Sequence, residues 1–308
     1  MKKNLVTGGC GFIGSNLIYK LLALDEHVIC IDNLSSGNFN NIFKIKDNKN
    51  FDFIQGDILQ NYSLKFDRLW HLACPASPKK YMQDPILTSR INFEGTLNLL
   101  KMAKFNNAKV IFASSSEVYG DCNIIPQDEN IFGMINTRSR RSCYSNGKRL
   151  AETLCFDFIR NFNMEIKIAR IFNAYGPRLG KYDGRVISNF IYQALNNKPL
   201  TIFGNGDQTR SFCYVSDIVE ALLLLMEDNY IGAINIGNDF EISIKELAKI
   251  IDKKIFSKRK FIINNNKLDE PLRRCPSLKL IKKVLDWSPN IDLEKGLDYT
   301  INSIREES

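Results

Sequence analysis

A glycine-rich turn near the start of the chain constrains the fold more than any other feature. The sequence Gly9-Cys10-Gly11-Phe12-Ile13-Gly14 follows a strand-like run at residues 3–7 and opens a helix-like pattern at residues 12–24. Glycines in this setting let the backbone turn tightly and approach a pyrophosphate, whose charge meets the N-terminal amides of the helix. We predict a strand-turn-helix unit that binds a dinucleotide. A glycine-rich turn without any ligand is the alternative.

An acidic residue at a suitable distance narrows the choice of cofactor. Asp32 ends the second predicted strand, 18 residues beyond Gly14. In dinucleotide-binding folds, an acidic side chain roughly 20 residues after the turn receives the adenosine ribose hydroxyls. Its charge would repel a 2′-phosphate, so we predict NAD rather than NADP. Asn33 and Asp57 are predicted to line the same pocket, although Asp57 equally fits a turn or helix-cap role.

Strand-like and helix-like patterns alternate through the first half of the chain. Such alternation predicts a Rossmann-like, doubly wound parallel sheet of the α/β class. The predicted elements are strands at residues 3–7, 27–31, 51–54, 68–73, 108–114 and 165–171, and helices at residues 12–24, 86–105 and 144–161.

Glycines and prolines interrupt this alternation at residues 173–185. We predict an NAD-binding domain at residues 1–172, to which parts of about 212–238 return, and a smaller, interleaved C-terminal substrate-binding region at residues 173–308. The polar runs 44–50 and 264–267 are predicted to be flexible loops. The predicted elements of the C-terminal region are helices at residues 186–195, 216–226, 243–251, 277–285 and 293–304, and short strands around Thr201, Ala233 and Phe261.

Composition limits the possible partners and compartments. The chain has 308 residues, 44% of them hydrophobic, and no apolar run approaches the roughly 20 residues that cross a membrane. The net charge of +8 suits a small anionic substrate, but the basic runs 138–141 and 258–260 are too short to predict nucleic-acid binding. Eight scattered cysteines predict reduced thiols in a cytoplasmic protein. With two histidines, no metal site is predicted.

A tyrosine and a lysine four residues apart indicate redox chemistry. Tyr144 and Lys148 share one face of a predicted helix, so both side chains can point at one reacting centre. A tyrosine with a pKa of about 10 is a poor base at neutral pH, but an adjacent ammonium and an oxidised nicotinamide stabilise its phenolate. Alone, this pair is better explained as a packing residue beside a solvated lysine. Ser115, at the carboxyl end of a predicted parallel strand, would complete a Ser-Tyr-Lys triad and favours catalysis.

Longer sequence segments that match a known family are spread over nearly the whole chain. With them the sequence resembles the extended short-chain dehydrogenases that act on nucleotide sugars, and most closely their branch that decarboxylates UDP-glucuronate. The glycine and Tyr-Lys motifs identify only the superfamily, whereas the longer strings are much more specific to this branch. These strings lie at residues 72–78, 116–120, 141–144, 147–153, 170–178, 183–190 and 208–217.

The resemblance implies that NAD oxidises the C4 hydroxyl of UDP-glucuronate, that carbon dioxide leaves from C5, and that the same NADH then reduces the ketone to give UDP-xylose. It also implies a homodimer. The implied catalytic residues are Ser115, Glu117, Tyr144, Lys148 and Arg210. The predicted cofactor-binding residues, including those argued above, are Gly8, Gly11, Phe12, Ile13, Gly14, Asp32, Asn33, Asp57, Ile58, Leu72, Ala73, Tyr144 and Lys148. The implied substrate-binding residues are Arg141, Asn173, Arg185, Asn189, Arg210 and Arg274.

Glu117 separates this reaction from related ones. A 4,6-dehydratase has an Asp-Glu pair where this chain has Ser116-Glu117, and a 4-epimerase commonly has no carboxylate there. Either enzyme acting on another nucleotide sugar is the alternative, and a non-catalytic nucleotide sensor is the remote one. Arg210 matches a position used either on the diphosphate or as a proton donor near C5. The chain departs from the family at Ser145-Asn146, where Asp-Glu is usual, at Ser277, and at residues 136–141, which lack Pro-Ile-Gly.

Overall fold

The computed structural model describes residues 1–180, 183–255, 260–264 and 272–306. Strands in these segments are β1 (Lys3–Thr7), β2 (His27–Asp32), β3 (Phe51–Gln55), β4 (Arg68–His71), β5 (Lys109–Ser115), β6 (Ile166–Ile171), β7 (Ala174–Tyr175), β8 (Leu200–Phe203), β9 (Thr209–Ser211), β10 (Cys213–Tyr214), β11 (Gly232–Ile236), β12 (Glu241–Ser243), β13 (Phe261–Asn264) and β14 (Arg273–Arg274). Helices are α1 (Phe12–Ala23), α2 (Pro78–Tyr81), α3 (Pro85–Arg90), α4 (Thr96–Asn106), α5 (Ser142–Phe162), α6 (Val186–Leu195), α7 (Val215–Glu227), α8 (Ile244–Ile255), α9 (Lys279–Leu285) and α10 (Leu293–Glu306).

A parallel sheet of seven strands forms the centre of the described segments, in the order β11-β6-β5-β4-β1-β2-β3. Every neighbouring pair in this sheet runs parallel. Strands β2 and β3 follow on one side of β1, and β4, β5, β6 and β11 follow on the other, so the strand order reverses at β1. The predicted doubly wound fold is therefore confirmed. The carboxyl ends of β1 and β4 lie side by side, at the position where such sheets bind ligands.

Helices cover both faces of the sheet because alternate strand residues point to opposite sides. Val6 joins a buried apolar cluster that includes α1 and α7. Leu5, its neighbour, joins a second cluster that includes α4 and α5. Helix α5 therefore packs firmly on the sheet, which fixes the positions of the side chains it carries toward the strand ends.

A third apolar cluster joins α6, α8 and α10 in the C-terminal half. Short strands accompany it: β12-β9-β14 form one sheet, while β13-β8 and β10-β7 form two-stranded pairs. Strand β11 returns from this half to pair with β6 in the central sheet. The division into an NAD-binding domain and a substrate-binding region stays a prediction.

The predicted helix over residues 86–105 is wrong in one respect, because it is not a continuous α-helix. A π-helical turn at Ile91–Gly95 separates α3 from α4. The buried Asn92 side chain donates to the carbonyl of Thr88 over 2.8 Å, so it bonds the carbonyl that its own amide would reach in a regular helix. Asn16 and Asn106 make the same side-chain bond within regular α-helices, so this bond accompanies the wider turn but does not by itself explain it.

Some predictions concern segments only partly described. Residues 265–267 of one predicted loop and residues 258–259 of one basic run lie outside the described residues. The other predicted loop, residues 44–50, begins within a 3₁₀ turn at Phe43–Ile45. Within the described segments, no helix is both long and apolar enough to span a membrane.

A buried ion pair ties α5 to the sheet. Arg170, on β6, donates from Nε to Glu152 Oε1 over 3.1 Å and from Nη2 to Oε2 over 2.8 Å. The side chains of Arg170 and Glu152 are 12% and 7% exposed. Ser114, at the end of β5, donates a third hydrogen bond to Glu152. Because both side chains are largely shielded from water, removal of one partner of this bidentate pair should destabilise the fold strongly.

We expect Glu152→Ala to lower the free energy of unfolding by about 3–5 kcal/mol, because it leaves the Arg170 guanidinium buried without a counter-charge. Chemical denaturation monitored by circular dichroism measures this. The matched control is Glu94→Ala, which removes one partner of the exposed Arg90–Glu94 pair and should change stability little. Equal losses in the two variants would contradict the assigned role of the buried pair.

Candidate active site

A cleft opens where the carboxyl ends of β1 and β4 meet. Eight of its lining residues belong to the predicted cofactor-binding set: Gly8, Gly11, Asp32, Asn33, Asp57, Ile58, Leu72 and Ala73. Phe12, Ile13 and Gly14 instead form the first turn of α1. Lining residues that sequence reasoning missed include Ser35, Ser36, Gly37, Gly56, Cys74 and Pro75.

Close backbone packing explains two of the glycines. Gly8 has φ +73°, and a Cβ on it would lie 2.8 Å from the Ala73 backbone at the end of β4. A Cβ on Gly14 would lie 2.3 Å from the Gly8 carbonyl oxygen. Gly11, the N-cap of α1, offers no side chain to satisfy the first helical amides. These amides therefore remain suited to an anionic group in the cleft.

Asp32 stabilises the loops around the cleft. Its carboxylate accepts hydrogen bonds from the backbone N–H of Cys10 (2.9 Å) and of Leu34 (2.8 Å). Burial raises the pKa of Asp32 above its usual value, and these two backbone bonds offset part of that rise. Asn33 donates to the Asp57 carboxylate over 2.8 Å. An acidic side chain beside an uncapped helix start fits the ribose and pyrophosphate of NAD.

Tyr144, Lys148 and Ser115 converge beyond the end of β5. Lys148, on α5, is 3% exposed, and its Nζ donates to the Ala113 carbonyl over 2.8 Å. The same Nζ lies 5.9 Å from the centroid of the Tyr144 ring. Ser115 ends β5 and accepts from the backbone N–H of Glu117 over 3.2 Å. The three side chains of the predicted triad are therefore brought together.

Several groups act on the ionisation of Tyr144. Burial raises the pKa of Tyr144 well above its usual value, and the nearby Cys74 and Glu117 raise it further. Hydrogen bonding by Ser115 and the charge of Arg185 lower it, but by less. The protein's own groups therefore keep the phenol protonated at neutral pH, so a further positive charge is needed to release its proton.

Glu117 lies within a group of arginines. It belongs to the 3₁₀ turn Ser116–Tyr119, and its Oε1 lies 2.8 Å from Arg141 Nη2 and 3.7 Å from Arg274 Nη2. Burial alone would raise the pKa of Glu117, but the guanidiniums of Arg274, Arg141 and Arg210 outweigh it and hold that pKa below its usual value. Glu117 is therefore a carboxylate at neutral pH.

Arg274 and Arg210 are also bonded to the backbone. Arg274 is 2% exposed, and it donates to the carbonyls of Ser116 and Gly120 at the carboxyl end of β5. Arg210 donates from Nη1 to the carbonyls of Thr209 (2.8 Å) and Leu272 (3.2 Å). Their contact with a substrate diphosphate stays a prediction. Their positive charge at the site is a feature of the fold.

The other predicted substrate-binding residues, Arg185, Asn173 and Asn189, differ in whether they act on Tyr144. Arg185 is close enough to act on the charge of Tyr144, and its Nε pairs with Asp183 over 3.0 Å. The side-chain amides of Asn173 and Asn189 donate to the carbonyls of Ser211 and Gly184, each over 3.1 Å. The charge of Arg185 thus acts on Tyr144, whereas the side-chain amides of the two asparagines bond backbone carbonyls.

The sequence analysis missed the aromatic neighbour of Tyr144 and an arginine that packs on α1. The Tyr81 ring stacks on Tyr144 with centroids 4.9 Å apart and planes within 7°. Arg178 donates to the Asn16 side chain over 2.7 Å, and its guanidinium lies 4.1 Å from the centroid of the Tyr19 ring, so it packs on the middle of α1. Arg178 has φ +67°, an unusual value for a side chain of its size and the signal that marks it as special.

The match to a known family is decisive. The NAD dependent epimerase/dehydratase family model matches residues 4–237. The chain belongs to this family. Two similar curated proteins are UDP-glucuronic acid decarboxylase 4 of Arabidopsis thaliana, 44% identical over 98% of this chain and 68% of the relative, and UDP-glucuronic acid decarboxylase 1 of Xenopus tropicalis, 42% identical over 99% and 73%.

Solved structures of family members share the fold. UDP-glucose 4-epimerase of Thermotoga maritima superposes with a TM-score of 0.92 at 29% identity and covers 99% of each chain. UDP-glucuronic acid 4-epimerase of Bacillus cereus, solved with UDP-glucuronic acid and NAD, gives a TM-score of 0.89 at 31% identity and covers 99% of this chain and 100% of its own. Family membership and solved relatives that contain NAD confirm NAD as the predicted cofactor.

Proposed function

We propose that this protein is a UDP-glucuronate decarboxylase that forms UDP-xylose. The observation that carries the proposal is identity of 42–46% to curated UDP-glucuronic acid decarboxylases over almost the whole chain. The grouping of Ser115, Tyr144 and Lys148 beside an ionised Glu117 supports it. The positive charge of Arg141, Arg210 and Arg274 supports a substrate that carries a diphosphate and a carboxylate.

The proposed mechanism assigns each side chain one task. The residues of the cleft would hold NAD, which would supply reversible oxidation and reduction at sugar C4 and, when oxidised, a positive charge that favours the Tyr144 phenolate. Tyr144, as phenolate, takes the C4 hydroxyl proton, while Ser115 hydrogen-bonds the same oxygen. Lys148, held by the Ala113 carbonyl, adds positive charge beside the phenol. The arginines orient the anionic substrate so that its C4 faces this group.

Decarboxylation follows from the C4 ketone, which makes the C5 carboxylate a β-keto acid. The C5–carboxylate bond breaks, carbon dioxide leaves, and its electron pair forms an enolate between C5 and C4. Tyr144 and Ser115 stabilise the charge on the C4 oxygen by hydrogen bonds. A proton taken up from solvent then adds to C5, the hydride removed from C4 returns to it, and Tyr144 gives its proton back to the C4 oxygen, which completes UDP-xylose.

A UDP-glucuronate 4-epimerase is the second candidate, because the Bacillus cereus epimerase solved with UDP-glucuronic acid has the same fold at 31% identity. Such an enzyme would use the same Tyr144 and Lys148 but would keep the carboxylate. The Ser116-Glu117 sequence argues against a 4,6-dehydratase, which would need a second acid in place of Ser116.

Incubation of the purified protein with UDP-glucuronate and NAD tests the proposal. We expect carbon dioxide release and a UDP-pentose that co-elutes with UDP-xylose. UDP-glucose, which has no carboxylate to lose, is the matched control substrate. A UDP-hexuronate product would favour the epimerase instead, and the absence of any product would contradict the assigned substrate.

We also infer a homodimer and a cytoplasmic location. Ile86 (75% exposed), Phe93 (38%) and Leu150 (45%) expose apolar surface on α3, the π-helical turn and α5, as expected of helices that pack against a second copy. All eight cysteines are free thiols, which suits a reducing compartment. Light scattering that measures a monomer would contradict the dimer. The absence of a metal and of a nucleic-acid partner stays a prediction.

A further inference from the structure

The two carboxylate oxygens of Glu117 have different surroundings. Oε1 lies 2.8 Å from Arg141 Nη2 and 3.7 Å from Arg274 Nη2, so two guanidiniums hold it. Oε2 lies 3.5 Å from Ser145 Oγ, and within the described segments no other hydrogen bond reaches this oxygen. Ser145 is therefore the residue that donates a hydrogen bond to the oxygen that does not pair with Arg141 or Arg274.

Ser145 is placed for this by its helix. It directly follows Tyr144 on α5 and is 5% exposed. Its hydroxyl also lies 3.3 Å from the carbonyl oxygen of Arg141, four residues earlier, an acceptor that helical serines commonly use. One hydroxyl proton is thus shared between a carbonyl and the Glu117 carboxylate. The first turn of α5 thus carries Arg141, Tyr144 and Ser145, and two of these residues, Arg141 and Ser145, contact Glu117.

We propose that Ser145 is a positioning residue that holds Oε2 of Glu117 and keeps this carboxylate fixed and ionised beside Tyr144. The proposal deepens the decarboxylase assignment and rests on it for the role of Glu117 in turnover. An aspartate at this position would bring a second negative charge to Glu117. The serine of this chain donates a hydrogen bond instead.

The direction of the pH effect follows from the groups that face Glu117. Arg274, Arg141 and Arg210 lower its pKa, and the Ser145 hydrogen bond lowers it further, while burial opposes all four. The charge of Glu117 in turn raises the pKa of Tyr144. Removing the hydroxyl should therefore raise the Glu117 pKa. Activity that needs the ionised carboxylate is then lost at a higher pH than in the wild type.

Ser145→Ala, Ser145→Thr and Thr153→Ala form the test set. Thr153 is a matched control, because its exposed hydroxyl also donates to a carbonyl four residues earlier on α5, that of Arg149, over 3.1 Å. We expect Ser145→Ala to lower kcat/KM for UDP-glucuronate about tenfold and to move the acidic limb of its pH profile to higher pH. Ser145→Thr should restore most of both, and Thr153→Ala should change neither.

A second readout does not depend on the substrate. Carbon NMR of protein labelled at the glutamate carboxyl groups follows the titration of Glu117, with Glu117→Gln identifying its signal. A higher midpoint in Ser145→Ala, restored in Ser145→Thr, supports the proposal even if another nucleotide sugar is the substrate. An unchanged midpoint and pH profile in Ser145→Ala would overturn it. If that variant does not fold, Ser145→Cys, whose thiol is a weak donor, replaces it.

Discussion

Tyr144→Phe is expected to reduce turnover of UDP-glucuronate by about 10³-fold, because the variant lacks the oxygen to which the proposed mechanism assigns the C4 hydroxyl proton. The phenyl ring can still stack on Tyr81, whose plane lies within 7° of that of Tyr144. Packing and the NAD cleft should therefore be preserved, and NAD affinity measured by calorimetry should be unchanged. The loss should appear in kcat rather than in KM.

The matched control is Tyr299→Phe, which removes the hydroxyl of a tyrosine that is 45% exposed on α10. It should retain wild-type activity. A Tyr144→Phe enzyme with full activity would exclude Tyr144 as the base. A variant that also loses NAD would show instead that the hydroxyl is needed to form the cofactor site.

Glu117→Gln should separate the two halves of the reaction. The amide keeps the shape of the side chain but removes the negative charge that faces the guanidiniums of Arg141, Arg210 and Arg274. We expect release of carbon dioxide to fall about 100-fold, while oxidation at C4 falls less than about tenfold. Single-turnover absorbance of the reduced cofactor reports oxidation, and trapped carbon dioxide reports decarboxylation.

Glu165→Gln is the matched control for charge removal. Glu165 pairs with Lys109 over 2.8 Å and also with Lys167, but it precedes β6 and so lies at the amino edge of the sheet, away from the cleft. The substitution should leave both half-reactions unchanged. Equal losses of oxidation and decarboxylation in Glu117→Gln would argue that the carboxylate only supports the structure around Ser115.

The sequence was sufficient to predict the parallel sheet and its NAD site because both depend on local patterns. The glycine turn and Asp32 lie within one strand-helix-strand unit, and Tyr144 and Lys148 lie on one helix. The hydrophobic periodicity and the spacing of motif residues predict such units without knowledge of contacts between distant parts of the chain. The carboxyl ends of parallel strands then meet at one edge, which brings Ser115 to the pair on α5.

The surroundings of Glu117 could not be predicted in the same way. Its partners Arg141 and Arg274 lie 24 and 157 residues away in the sequence, so no local spacing relates them. Strands of two or three residues, such as β14 (Arg273–Arg274), carry too little periodicity to be recognised. The π-helical turn was also missed, because hydrophobic pattern does not distinguish such a turn from the α-helices on either side of it.

The bonds of Arg274 to the carbonyls of Ser116 and Gly120 have a consequence for engineering. Arg274 comes from the C-terminal half, yet it neutralises a carboxylate of the N-terminal half. A chimaera that grafts the C-terminal half of another family member, in order to exchange the sugar, would also exchange a counter-ion of Glu117. Exchange of the C-terminal half would therefore also change the charge that acts on Glu117.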